Sequence, residues 1–213
     1  MAMIKWGDPF DKTYQSGIDR GVVYNNDGTL AQPWNGLISV ENKPNGGDVE
    51  SAYLDGIRRL SVPSPTYYSA TITAFSVPPI VEQATGVTPL YAPGLYNDNG
   101  IQKTFNMTYR SFIGNECNPE DGYKIHFLYG LVITKPTISD KTRSDSSELD
   151  GISYDVVSNP TNLTSLRVNH LYIDTRDVKQ KARIASIEDL IYGTVTTAPS
   201  MPIPATLSLV LLS

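Results

Sequence analysis

Two runs of alternating side chains constrain the fold of this chain more than any other feature. They occupy residues 103–113 and 123–134 and flank a loop of small and acidic residues, NECNPEDG. Successive side chains of a β-strand point to opposite faces, so every second residue in these runs lies on the same face. Those alternate positions are Phe105, Met107, Tyr109, Ser111, Ile113, Tyr123, Ile125, Phe127 and Tyr129. The pattern predicts one long β-hairpin.

Short apolar runs separated by turn residues make up most of the remaining chain. Strands are predicted at residues 37–40, 53–60, 69–77, 152–157 and 166–174. Residues 78–100 are rich in proline and glycine, which predicts an excursion over a sheet edge with at most one helical turn, at 80–84. The polar residues 1–20 predict an extended N-terminal arm, and residues 139–151 predict an exposed loop.

One segment has the spacing of an α-helix. Its apolar face is formed by Ile184, Ile187, Leu190 and Ile191. Asp177 is a suitable N-cap and Gly193 a suitable stop, so a helix is predicted over about 178–192. The proline-spaced residues after it predict a linker into a final strand, at 207–212. The chain is therefore expected to be mainly β: a β-barrel or sandwich with one flanking α-helix and extended arms, in which residues 21–213 form a single domain.

The charge of the chain argues against one class of function. It carries 22 Asp and Glu against 17 Lys and Arg, a formal net charge of −5 at pH 7. Proteins that wrap nucleic acid contact phosphates through clustered cations, and such clusters are missing here. The N-terminus lacks the apolar segment of a secretory signal, and the longest apolar run, residues 207–212, is too short to cross a bilayer. We expect no membrane binding by this chain.

Candidate catalytic groups are few. His126 and His170 are the only histidines and Cys117 is the only cysteine, which excludes an internal disulfide and a three-histidine zinc site. A nucleophilic pair of Cys117 with His126 or His170 is one alternative. It is disfavoured because the acidic neighbours Glu116 and Glu120 suppress a reactive thiolate. Each histidine is more simply interpreted as a structural strand residue. The sequence therefore predicts no enzyme, no cofactor and no metal site, and it also lacks the spacing of a calcium loop.

The abundance of tyrosine raises an alternative. A platform for sugars on a β-sandwich would use Tyr67, Tyr68, Tyr91, Tyr96, Tyr109, Tyr123 and Tyr129. Tyrosine is equally favoured in strands and at protein interfaces, so packing is the preferred interpretation. A carbohydrate-binding module stays open as the less favoured alternative.

An ordered series of phrases resembles one protein family. The phrases are YQSGIDRGVVYNNDG (14–28), WNGLISVENKPNGGDVESAYLDGIRRL (34–60), SATITAFSVPPIVEQATG (69–86), FNMTYRSFIGNE with GYKIHFLYGL (105–131), and SIEDLIYGT before PSMPIP (186–204). Together they resemble the tail tube (major tail) proteins of long-tailed bacteriophages, over most of the chain and in collinear order. A distal tail, baseplate or tail-completion protein is the related alternative.

This resemblance implies a structural virion protein. Subunits of the family form hexameric rings that stack into a tube through which DNA passes, without specific binding, into the host. The implied partners are further copies of the chain and the terminator, distal tail and tape measure proteins. The implied location is the phage tail, after synthesis in the cytoplasm of the host bacterium. An acidic, lysine-poor channel wall would not retain DNA, which agrees with the net charge of −5.

Within that family the long hairpin has a clear expected role. Its length and alternation suggest that residues 104–134 join neighbouring subunits around the ring, with one face toward the channel. A rival assignment places the strands of residues 53–75 at the channel, and the sequence does not choose between the two.

Overall fold

The fold was analysed in a computed structural model, which describes residues 12–43, 45–47, 49–64, 67–92, 94–138, 151–159, 161–162, 167–176 and 178–212. The strands are β1 (Thr13–Asn25), β2 (Ala31–Pro33), β3 (Leu37–Asn42), β4 (Val49–Leu54), β5 (Ile57–Pro63), β6 (Ser69–Ala74), β7 (Thr88–Pro89), β8 (Tyr96–Asn97), β9 (Phe105–Asn115), β10 (Gly122–Ile133), β11 (Ile152–Ser158), β12 (Thr161–Asn162), β13 (Arg167–Val168) and β14 (His170–Asp174). The helices are α1 (Pro79–Ala84), α2 (Val178–Tyr192) and α3 (Pro204–Leu212). The expectation of a mainly β fold is confirmed.

One eight-stranded antiparallel sheet dominates the molecule. Its strands follow the order β2–β1–β9–β10–β11–β6–β3, and β14 joins it by pairing with β10. The hairpin predicted from the alternating runs is formed by β9 and β10, with Phe127 opposite Thr108 and Ile125 opposite Arg110. It lies at the centre of the sheet, because β1 pairs with the outer edge of β9 along most of its length.

The strand β10 changes partner halfway along. Its first part pairs with β14, from Lys124 to Leu128, and its last three residues pair with β11. Between them Gly130 has a φ of +59°, a backbone conformation that glycine adopts without strain, and the register with β9 is interrupted there. The freed N–H of Gly130 donates a hydrogen bond of 2.8 Å to Oδ1 of Asn106. This irregularity lets one strand carry both branches of the sheet.

Each face of the central strands packs into its own hydrophobic core. The inner core contains Val23, Trp34, Ile72, Met107, Tyr109, Leu128, Leu131, Ile133 and Tyr154. The helix-side core contains Val22, Tyr24, Ile125, Phe127, Tyr129, Ile184, Ile187, Ile191 and Leu207, contributed by the sheet, α2 and α3. Alternate residues of β10 therefore enter different cores, which explains why this strand is buried on both faces.

The sheet curls toward a barrel. Trp34 donates its backbone N–H to the carbonyl of Gly21 at 2.7 Å, and a Cβ added to Gly21 would lie 2.9 Å from Cδ2 of Leu37. The start of β3 thus lies against β1 at the other end of the strand order. Among the described strands no ladder joins β3 to β1, so a seam separates them.

The helices differ from the sequence-based expectation at the C-terminus. The helix α2 covers the residues where the sequence predicts a helix, and α1 matches the short turn expected at 80–84. The residues expected to form a final strand instead form α3, which begins at Pro204 and buries Leu207 in the helix-side core. A short apolar run does not distinguish a strand from a buried helix, and proline at the first helical position favours the helix.

Two further segments depart from expectation. Residues 13–20, assigned to the arm by the sequence, belong to β1, which pairs with β9, whereas residues 1–11 of the predicted arm and 139–150 of the predicted loop lie outside the described residues. The single strand expected at 53–60 is two strands, β4 and β5, joined by a turn at Asp55 and Gly56. Both turn residues have positive φ, +52° and +74°, which is the conformation that Asp-Gly favours in two-residue hairpins.

Candidate functional site

The residues predicted to join subunits lie inside the molecule. Phe105, Met107, Tyr109, Ser111, Ile113, Ile125, Phe127 and Tyr129 are buried, and Tyr123 is half-buried. The outer edge of β9 is covered by β1, and that of β10 by β14 and β11. A role of this hairpin in joining neighbouring subunits stays a prediction, and it would have to use the loop and ends of the hairpin rather than these side chains.

The hairpin of β4 and β5 presents the opposite situation. It forms a separate two-stranded sheet that pairs with no other described strand. The register places Val62 opposite Glu50, Leu60 opposite Ala52 and Ile57 opposite Leu54, so one face carries an apolar row. Ile57, Leu60 and Val62 are 55%, 55% and 51% exposed. We call the side chains of Ala52, Ile57, Leu60 and Val62 the apolar hairpin face.

Three strands of the main sheet leave an edge unpaired in the described part of the chain. The strand β3 pairs only with β6, β2 only with β1, and β14 only with β10. Unpaired N–H and C=O groups along an edge are ready to accept a strand from another molecule. These edges and the apolar hairpin face are the parts of the described sheets that other described strands leave unpaired or uncovered.

A buried ionic cluster fastens α2 to the sheet. Arg110 of β9 is paired with Asp19 of β1 through two of its nitrogens, and its Nη1 lies 3.2 Å from Oε1 of Glu188 on α2. Tyr123 donates its hydroxyl to the same Oε1 at 3.0 Å. The hydrogen bond to Asp19 raises the pKa of Arg110, against the opposing effect of burial, so the guanidinium stays charged. The cluster links three elements that are distant in sequence.

A second polar cluster lies where β9, β10 and β14 run side by side. Ser111 Oγ is 2.9 Å from Nε2 of His126, and Nδ1 of His126 is 3.0 Å from Nε2 of His170. The ring of Tyr109 stacks on His126, with centroids 4.5 Å apart. Burial, followed by the charges of His170 and Lys124, lowers the pKa of His126 to about 3. Both imidazoles are therefore neutral at pH 7, because burial also lowers the pKa of His170.

The association of Ser111, His126 and His170 was not predicted from the sequence. Alternation correctly placed His126 on the face opposite Ile125 and Phe127. The pairing with His170 depends on β14 lying beside β10, which no local pattern indicates. The Cys–His pair does not form, because both ring nitrogens of His126 already have other partners and Cys117 lies exposed in the hairpin loop.

The described residues assemble neither a metal site nor the tyrosine platform that was weighed as an alternative. Among them no group of three or more His, Cys, Asp or Glu side chains is arranged to hold a metal ion. The tyrosines considered as a sugar platform are dispersed: Tyr109 and Tyr129 are buried, and Tyr91 is fully exposed. Within the described part of the chain, no helix has the length and apolar character that crossing a membrane requires.

Comparisons with known proteins found similarity at the level of structure. No protein-family model matches the chain, and no curated protein sequence matches it. The SPP1 tail tube, solved by solid-state NMR and cryo-EM, is 12% identical and aligns over 77% of this chain and 80% of its own, with a TM-score of 0.42.

Two chains of an extracellular contractile injection system, PVC, are also similar. One, from the sheath–tube complex, is 12% identical over 73% of this chain and 88% of its own, with a TM-score of 0.28. The other, from the sheath/tube terminator, is 14% identical over 75% and 97%, with a TM-score of 0.31. With TM-scores below 0.5, all three are remote structural similarities.

Proposed function

We propose that this chain is a structural subunit that assembles with copies of itself into hexameric rings, which stack into the tail tube of a long-tailed bacteriophage. The observation that carries the proposal is the apolar hairpin face, which is exposed in the single chain. The collinear phrases of the sequence that resemble tail tube proteins support the same assignment. This role requires no enzymatic activity, cofactor or metal.

The β4–β5 hairpin is the first feature that favours self-assembly. A two-stranded hairpin in water is at best marginally stable, and this one is not covered by any other described strand. Full burial of an Ile, Leu or Val side chain contributes about 1.5–3 kcal/mol, so covering Ile57, Leu60 and Val62 with a neighbouring subunit would stabilise both the hairpin and the contact. A repeated contact of this kind forms closed rings or open filaments.

The unpaired strand edges supply the second component of assembly. Pairing the edge of β14 with a neighbouring copy would satisfy backbone groups that no other described strand pairs. The net charge of −5 suits a tube whose channel passes DNA without holding it. We propose the virion tail as the location, and the tail terminator, distal tail and tape measure proteins as further partners.

Electron microscopy with one designed variant tests this function. Purified wild-type chain at high concentration is expected to form rings or tubes with a central hole in negative stain. Leu60→Asp places a charge on the apolar hairpin face and should shift the protein to monomers in sedimentation velocity, with an unchanged circular dichroism spectrum. Leu30→Asp is the matched control, because Leu30 is 65% exposed and lies outside that face.

Each outcome of this experiment distinguishes the alternatives. Single rings that never stack would favour a distal tail or tail-completion protein. A wild-type chain that stays monomeric and is retarded on a glycan column would favour the carbohydrate-binding module and refute the proposal. Equal assembly of Leu60→Asp and Leu30→Asp would show that the apolar hairpin face is not the contact.

A further inference from the structure

Ser111, His126 and His170 have the arrangement of a nucleophile, its general base and a group that orients the base. Nucleophilic serines require a base within about 2.6–3.2 Å that is itself held by a third residue. The Oγ–Nε2 distance of 2.9 Å and the Nδ1–Nε2 distance of 3.0 Å meet this requirement. We propose that Ser111 is a reactive nucleophile toward small carboxylic esters, with His126 as general base and His170 as a positioning residue. This inference does not depend on the proposed tube function.

The hydrogen-bond roles follow from the two nitrogens of a neutral imidazole. If His126 donates its Nδ1–H to Nε2 of His170, its own Nε2 carries the lone pair and accepts the hydroxyl proton of Ser111. In this tautomer His126 can take a proton from the serine, and the hydrogen bond to His170 holds its ring in place. This is the orienting role that a carboxylate has in Ser-His-Asp sites, performed here by a neutral group.

A cavity gives small molecules access to the serine. It has a volume of about 340 Å³, lies at the seam between β1 and β3, and includes Tyr109, Ser111 and His126 among its lining residues. This size is at the lower end of small-molecule sites and is sufficient for a short acyl group. The carboxamides of Gln15 and Asn42 line the same cavity.

The strand β1 has a bulge beside the serine. Ser16 pairs with Phe112 and Ile18 pairs with Ser111, so Gly17 lies outside the register and lines the cavity. The extra residue of a bulge is left out of the ladder, which frees its N–H. An oxyanion needs such backbone or carboxamide donors, and Gly17 and Gln15, which both line the cavity, carry groups of this kind.

The reaction balances with these residues and water alone. Oγ of Ser111 bonds to the ester carbonyl carbon while its proton passes to Nε2 of His126. The tetrahedral intermediate then expels the alkoxide, which takes that proton and leaves as an alcohol. Water adds to the acyl-serine in the same way, giving its proton to His126, and the carboxylic acid leaves as Ser111 regains its proton.

The surroundings of His126 make it a weak base with a distinctive pH behaviour. It faces Lys124 on its own strand, Tyr109 on β9, and His170 and Tyr172 on β14, and the ring of Tyr68 lies 5.1 Å from that of His170. Because the pKa of His126 is about 3, the imidazole is unprotonated from pH 8 down to pH 5. The acylation rate should therefore be low but constant across this range, whereas an imidazole of ordinary pKa loses activity below pH 6.5.

A fluorophosphonate–biotin probe on the full-length protein tests the proposal directly. Peptide mapping is expected to find the adduct on Ser111, at equal rates at pH 5.5 and pH 8. Unfolding the wild type in concentrated urea should abolish the reaction, since the activation requires the assembled strands. Absence of a Ser111 adduct in the folded protein, or an equal rate in urea, would overturn the proposal.

Variants separate the roles of the three residues. His126→Gln should lower the labelling rate about 100-fold, the typical effect of losing a general base. His170→Gln keeps an acceptor for the Nδ1–H of His126 and should retain most of the labelling rate. His170→Leu removes that acceptor and should lower the labelling rate about tenfold. A purely structural role of His170 would not produce this difference between the two variants. Ser153→Ala is the control, because Ser153 is exposed on β11 and hydrogen-bonds Thr73. Unchanged labelling in a folded His126→Gln variant would refute the assignment of the base.

Discussion

His126 and His170 are joined by a hydrogen bond between two neutral imidazoles on neighbouring strands. Their facing nitrogens are 3.0 Å apart, the ring planes differ by 12°, and the centroids are 5.3 Å apart, so the rings meet edge to edge along the bond. One of the two nitrogens must be unprotonated for the bond to exist. The contact therefore ties β10 to β14 only while at least one of the two imidazoles is neutral.

Stability should fall as the pH is lowered from neutrality. The pKa of His126 is about 3 in the folded chain against 6.5 ordinarily, so below pH 6.5 the unfolded chain binds a proton that the folded chain does not. The free energy of unfolding should decrease by up to about 1.4 kcal/mol per pH unit from this group, with the decrease ending near pH 3. Urea unfolding at pH 7.5, 6.5, 5.5 and 5.0 measures the slope before most carboxylates titrate.

The variant His126→Gln isolates this effect. Glutamine can bond to Ser111 but does not titrate, so the slope between pH 6.5 and pH 5.0 should be smaller than in the wild type. The pKa of His170 is also lowered, and its remaining contribution should disappear in the double variant with His170→Gln. Identical slopes in the wild type and both variants would contradict the assignment.

Replacing Arg110 should lower the free energy of unfolding. Its side chain is 10% exposed and is bonded to Asp19 and Glu188, so Arg110→Met leaves two carboxylates without their cation. Because Asp19 and Glu188 keep some contact with solvent, the loss should be about 1–3 kcal/mol, measured by urea unfolding. Lys135→Met is the control: its exposed pair with Asp98 should contribute about 0–1 kcal/mol. A similar small loss in both variants would show that the Arg110 cluster is not a structural tie.

The helix α3 can be tested through two leucines. Leu207 is buried against the helix-side core, and Leu209 is 69% exposed. Leu207→Ala should therefore cost about 2–5 kcal/mol, whereas Leu209→Ala should change stability by less than about 0.5 kcal/mol. If this segment were a strand, positions 207 and 209 would lie on the same face, and the two variants would give similar losses.

Proline in the central hairpin should prevent folding rather than assembly alone. Ile125 pairs with both Arg110 and Ile173, so Ile125→Pro removes a ladder hydrogen bond at the centre of the sheet and an apolar side chain from the helix-side core. Circular dichroism should show loss of the fold, and no tubes should form. If the Ile125→Pro chain folds but does not assemble, the result would instead favour the β9–β10 hairpin as the direct contact between subunits.

The long hairpin shows which properties an alternating sequence pattern predicts and which it does not. Alternation over two runs correctly predicts β9 and β10, because a period of two has no other regular interpretation. The same alternation suggests a face turned toward a neighbour or a channel. In the structure, β1 covers the edge of β9 and both faces are buried, which depends on pairing between residues about ninety positions apart.

The turn at Asp55 and Gly56 and the helix α3 show two different reasons for error. The Asp-Gly turn is a local signal present in the sequence, and overlooking it merges β4 and β5 into one strand. The apolar run before the C-terminus carries no periodic signal of its own. Its conformation is set by packing of Leu207 against the helix-side core.

By itself the sequence determined the mainly β class, the central hairpin and the amphipathic helix α2, since all of these depend on local periodicity or on composition. Only the tertiary structure decided which edges are paired, which apolar face stays exposed, and that Ser111, His126 and His170 meet. Those properties arise from contacts between β9, β10 and β14, and between β1 and β9, whose register depends on the burial of both faces of one sheet.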